Sequence, residues 1–163
     1  MKTVSSMIEK MIYFYNGSTH DINHFLKVYT YAKTIGEAEG LNEKEQFILE
    51  SAAVVHDIAC PLCREKYGNT NGKYQEIEGI PLTEEFIKEF EIEKDIKERI
   101  IYLVSHHHTI EDIEGMDYQI LIESDYIVNA DESGYSKENI KNMMDNVFKT
   151  ETGIRLLKSI YKI

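Results

Sequence analysis

The chain has 163 residues, enough for one ordinary domain with a sizeable core. Eighteen Lys and Arg against 29 Asp and Glu leave a net charge of −11, which argues against duplex nucleic acid and an anionic membrane surface as main partners. A hydrophobic share of 42% is that of a globular protein, and two cysteines are too few for a disulfide framework or a four-cysteine zinc site.

The first 17 residues hold Glu9 and no long apolar run, so they do not read as a secretory signal. No apolar stretch approaches the length of a membrane span, and the cytoplasm is the expected location. Residues 5–15 place Met7, Ile8, Met11 and Ile12 at helical spacing, and Asn16-Gly17-Ser18 stops that helix. The Met7, Met11 and Tyr13 group reads as core or interface packing, and this apolar N-terminal helix is a possible homodimer surface. Thr19 or Asp21 can cap a second helix, which runs to Glu39 with Phe25, Val28, Ala32, Ile35 and Ala38 on one stripe. Gly40 closes it. Asn42 with Glu45 is a capping pattern for a third helix, to about Ile58, whose centre Ser-Ala-Ala-Val-Val reads as buried. Pro61 is expected to end it, and residues 62–75, with Gly68, Asn69, Asn71 and Gly72, read as a loop. Helices are expected over 83–90, from Thr83 as cap, and over 92–107. The apolar run 117–130 suits strand or helix, and its length favours helix. Two more helices follow, at 136–148 and 152–161. There is no repeat, low-complexity tract or linker, so residues 1–163 read as a single compact all-α domain.

The six histidines carry the chemistry. His56-Asp57 ends a helix that reads as buried, AAVVHDI, where an unpaired carboxylate is costly. Imidazole plus carboxylate is a common metal-ligand pair, and a bound ion would remove that cost. Helices two and three, joined by a short turn, can bring His24 opposite His56, while His20 lies one turn before His24 on the same face. His106-His107-His108 sits at one helix end; successive helical residues are 100° apart, so at most two of the three can face one site. Asp125 is an acid inside the apolar run LIESDYIV, where it needs a partner. Glu123, Asp131 and Glu132 read as surface acids. Cys60-Pro-Leu-Cys63 has redox spacing without the strand setting of redox motifs, and GNTNGK at 68–73 has too few residues between its glycines for a phosphate loop.

The order His24, His56-Asp57, Asp125 resembles the HD domain, a superfamily of metal-dependent phosphohydrolases. The Val28 and Ala32 that follow His24 match the family pattern and select it over His20. The resemblance covers about residues 19–131, with the C-terminal helices 136–161 packing on that core, and KYQEIEG, VSHHHT and FKTETGIRLL are similar to stretches of a small bacterial subgroup. It implies an all-α helical bundle with one divalent metal (Mn, Co, Ni, Fe or Zn) bound by His24, His56, Asp57 and Asp125. It further implies hydrolysis of a phosphate ester or anhydride of a small molecule, possibly a nucleotide, by metal-activated water. In that scheme Asp57 also orients the water. Arg64, Lys66 and Lys73 are the candidate phosphate partners, Lys66 with a catalytic role, and His106 or His107 adds a donor or an acid. Departures are Ala59-Cys60 after the pair, where many members have Gly and a base, and Gln75 where two-metal members carry a further His. The rival readings are a non-catalytic metal or nucleotide sensor, a two-metal oxygenase and a purely structural helical domain.

Overall fold

A computed structural model describes residues 3–163, and these contain nine helices and no strand. The first, α1 (Val4–Tyr15), buries Met7, Met11 and Tyr15 at four-residue spacing and ends at Asn16 in the left-handed region (φ 45°). Met7 and Met11 are therefore core, while Tyr13 and Phe14 are exposed. In α2 (Thr19–Ala38) one face buries Asp21, His24, Phe25, Val28, Ala32 and Ile35. Ser18, rather than Thr19 or Asp21, is the residue before its first turn, and its hydroxyl donates to Asp21 at 2.7 Å. Asn42 and Glu45 form the expected capping box of α3 (Glu43–Val55).

Every residue of α3 from Ile48 to Val55 is buried. A helix apolar on all sides belongs in a core, and α3 packs against α2 and α1 on one flank. Its other neighbours are α6 (Lys94–Val104) and α7 (Met116–Glu132). Contrary to the expectation that no stretch approaches a membrane span, Glu43–Tyr67 is by length and composition long and apolar enough to cross a membrane, but 72% of its apolar window is buried inside this fold, as in a core helix.

Two expectations for the middle of the chain are overturned. Pro61 does not end a helix; it lies in the first turn of α4 (Cys60–Tyr67), where its missing N–H costs nothing. The expected loop over 62–75 shrinks to the few residues between Gly68, left-handed at φ 73°, and Gly72. Asn71 then caps α5 (Gly72–Ile87) by accepting from the Lys73 N–H at 3.0 Å. That helix carries Pro81 on an exposed position and contains most of the expected 83–90 helix. The run 117–130 is helical, as α7. The chain ends in α8 (Lys137–Asn146) and α9 (Glu151–Tyr161), with α9 packed on α7, α2 and α8.

Candidate metal centre

α2 and α3 run side by side, and α7 packs on both. This brings His24 from α2, His56 and Asp57 from the end of α3, and Asp125 from α7 to one point. His24 Nε2 lies 3.2 Å from His56 Nε2, 3.1 Å from Asp57 Oδ2 and 3.2 Å from Asp125 Oδ1. His56 Nε2 lies 3.4 Å from Asp57 Oδ2 and 3.3 Å from Asp125 Oδ1. The turn after α6 adds His107, whose Nε2 is 3.3 Å from the other oxygen of Asp57, Oδ1.

The outer nitrogens fix the tautomers. His56 Nδ1 donates to the Ala53 carbonyl at 2.7 Å, and His107 Nδ1 to the Val104 carbonyl at 2.7 Å. His24 Nδ1 meets Glu132 Oε1 at 2.5 Å. In the neutral form each ring then turns an Nε2 lone pair toward carboxylate oxygens. Lone pairs so placed need a positive charge between them, either protons or a cation. With protons alone, burial works against the imidazolium, but Asp125 and Asp57 outweigh it and raise His24 to about 11. The same two carboxylates raise His56, against burial, to about 10. Burial would raise Asp57, yet His56, His107 and His24 together hold its carboxyl well below the usual range.

A metal ion fits these donors. Nitrogen and oxygen ligands about 2.0–2.2 Å from a first-row ion lie about 3 to 3.5 Å apart along the edges of its polyhedron. The five separations above are 3.1–3.4 Å. His24, His56 and Asp57 form one group able to hold an ion, and Asp57, His107 and His108 form another. The hydrogen bonds from the outer nitrogens orient the rings as second-layer partners do around bound metals.

The cluster forms the floor of a cavity of about 290 Å³, reached by His24, Asp57 and Asp125. Arg64, on α4, lines it, with its guanidinium on Asp21 through two bonds of 2.9 and 2.7 Å. The other expected phosphate partners lie elsewhere. Lys66 is tied to Glu78 at 2.6 Å, Lys73 is exposed, and neither lines the cavity. His106 stacks on Tyr102 at 3.9 Å and donates to its carbonyl, also outside the lining. His107 has no exposed side-chain surface, so it meets Asp57 from below rather than the cavity. Its neighbour His108 does line the cavity, with Nε2 donating to Gln75 Oε1 at 3.0 Å.

Two acids expected at the surface are not there. Glu132 faces the cavity and binds His24. Glu123 is fully buried and accepts from Gln119, from Thr150 and from the backbone of residues 149 and 150. Asp131 is exposed as expected. Gln75 was visible as a departure from the family pattern, but nothing local signals that its buried amide bridges His108 and the Thr70 carbonyl.

The model of the HD domain family matches residues 21–144, which include the converging His24, His56, Asp57 and Asp125. The chain belongs to the HD domain family. A solved structure described as a predicted HD superfamily hydrolase, from an uncultured Thermotogales bacterium, aligns with this HD domain at a TM-score of 0.67 and 18% identity. The alignment covers 98% of this chain and 83% of the other, and the likeness is one of fold. No curated protein matches this HD domain.

Proposed function

We propose that this HD domain is a metal-dependent phosphohydrolase acting on a phosphate ester or anhydride of a small molecule, with nucleotides among the candidates. The observation that carries the reading is the set of five donor separations of 3.1–3.4 Å at the floor of an open cavity. One divalent ion held by His24, His56, Asp57 and Asp125, of the manganese, cobalt, nickel, iron or zinc kind, would acidify a bound water and offset phosphate charge.

The chain's own residues supply the rest. Asp21 uses two of Arg64's five N–H donors and fixes the guanidinium, leaving donors for phosphate oxygens. Asp57 turns Oδ2 toward His24 at 3.1 Å and Oδ1 toward His107 at 3.3 Å, so with one oxygen on the ion the other would be left to orient a water. His108 presents an imidazole at the cavity wall; burial and the neighbouring His107 lower it to about 4, so it is neutral and its Nδ1 is an acceptor there. The fold neighbour's description as a predicted hydrolase agrees with this reading.

Product formation from a panel of mono-, di- and cyclic phosphates tests it, read as phosphate release for the monoesters and by chromatography for the rest. Turnover should require added metal and vanish in Asp57→Ala. Arg64→Met should raise KM about tenfold and leave metal content unchanged. Bound metal without turnover of any compound would leave the sensor reading.

A second reading concerns metal count. Asp57 offers Oδ2 to the His24 side and Oδ1 to His107, and its group with His107 and His108 is itself able to hold an ion. Were a second ion held there, Asp57 would be shared by the two groups, as the oxygenase alternative requires. A stoichiometry near two with dioxygen uptake would support it; a stoichiometry near one would remove it.

A further inference from the structure

The proposal concerns the substrate class, and it rests on the hydrolase reading. Arg64 is the one Lys or Arg among the described residues that line the cavity. Its charge is already matched by Asp21, at 2.7 and 2.9 Å. Asp57, Asp125 and Glu132 also face the cavity, and a divalent ion offsets two of those three charges. Lys27, outside the lining, pairs with the third carboxylate, Glu132, at 3.7 Å, and Lys66 turns to Glu78 at 2.6 Å, so the cavity keeps no surplus positive charge once one ion is bound.

A phosphomonoester carries about two negative charges, and each further phosphoryl group adds about one more. Sites that act on polyphosphates gather a Lys, an Arg and one or two metal ions around them. Here the one ion is matched by Asp57 and Asp125 and the one Arg by Asp21, so little positive charge is left for a polyphosphate. The cavity, at about 290 Å³, is at the small end for ligand sites. Around Glu132 the lining also offers neutral polar groups. Asn129 lies one helical turn beyond Asp125, and Ser133 and Tyr135 follow it. Amide and hydroxyl groups suit the hydroxyls of an organic moiety.

We infer that the cavity takes a phosphate ester with a single phosphorus, on a compact hydroxyl-bearing group, and discriminates against pyrophosphate and longer anhydrides. An ester on this account is cleaved by water at phosphorus: the P–O bond to the alcohol breaks, one P–O bond to water forms, and the alcohol leaves with a proton.

Calorimetric titration of the metal-loaded protein with inorganic phosphate, pyrophosphate and tripolyphosphate tests the charge argument without turnover. Manganese is kept in excess so that the chelating anions do not strip the site. Phosphate should bind at least tenfold more tightly than tripolyphosphate, with pyrophosphate between. Equal or tighter binding of the longer anions would overturn the inference. Hydrolysis of glycerol 3-phosphate and ribose 5-phosphate beside pyrophosphate and ATP gives the second readout. The two esters should lead by at least tenfold in kcat/KM, and a faster anhydride would overturn the inference while leaving the hydrolase reading intact. If none of the four is hydrolysed, the hydrolase reading is decided by the wider panel of mono-, di- and cyclic phosphates, and the order of anion binding alone decides whether the cavity selects a single phosphoryl group.

Discussion

His24 shows how much one side chain depends on its surroundings. Its Nε2 meets a carboxylate or imidazole in three directions, and its Nδ1 is held by Glu132. Glu132 therefore acts through His24. Glu132→Ala should weaken metal binding about 10- to 100-fold with the ligands themselves intact, read by metal titration. An unchanged affinity would show that the ring needs no such support. His56-Asp57 was legible because a charged pair ends an apolar run. Glu132 was not, because its partner lies 108 residues away and its own neighbours are polar. Asp21 also escaped the sequence as a cavity residue. Burial would raise its carboxyl, but the bonds from Arg64 and Ser18 outweigh that and hold it below the usual range. A carboxyl lowered by folding stabilises the native state above its unfolded pKa and loses that contribution as pH falls through its folded pKa. Asp21→Asn should therefore be less stable than the parent at pH 6, by about 1 kcal/mol or less because Arg64 is half exposed. The gap should begin to narrow at about pH 4, where the unfolded carboxyl protonates, and close only as pH falls through the lowered folded pKa, in paired denaturant curves at each pH. A gap independent of pH would mean that the Asp21 charge is not what matters.

At the scale of elements, the reading from sequence succeeded where periodicity and caps agreed. Asn42 and Glu45 start α3, and the stripe from Phe25 to Ile35 faces inward. It failed over 62–75 because Gly68, Asn69, Asn71 and Gly72 outweighed a Pro that starts a helix as readily as it ends one. Gly72 has a further reason to be glycine: a Cβ there would stand 2.8 Å from the His108 side chain. The turn between α4 and α5 thus sets the cavity wall that carries Thr70, Gln75 and His108. The C-terminal helices are held by Glu123, which takes bonds from Gln119 at 2.6 Å, Thr150 Oγ1 at 2.6 Å and the Lys149 N–H at 3.0 Å. Gly153 lies so close that any Cβ would collide with the Glu123 carboxylate. This gives the stretch KTETG a structural role that its sequence does not disclose. Glu123→Ala leaves several buried donors without an acceptor and should cost about 3 kcal/mol or more in chemical denaturation. A loss under about 1 kcal/mol would mean that α9 is held by its apolar face alone.

For the whole molecule, one observation joins charge to function. A chain with net charge −11 folds two of its carboxylates, Asp57 and Asp125, against the buried His24 and His56. The fold is all helical, and the helices were largely legible from spacing; the cluster's completeness was not, since it joins residues from α2, α3, the turn after α6 and α7. A ligand that binds the native state alone stabilises it by mass action. Removing metal at neutral pH should therefore lower the thermal midpoint by several degrees, and restoring manganese should recover it. The most direct test is the metal content of untagged protein purified without chelator, beside Asp57→Ala. The account predicts about one first-row metal per chain, lost in the variant. No metal in either protein, even after soaking with manganese, nickel or iron, would contradict it.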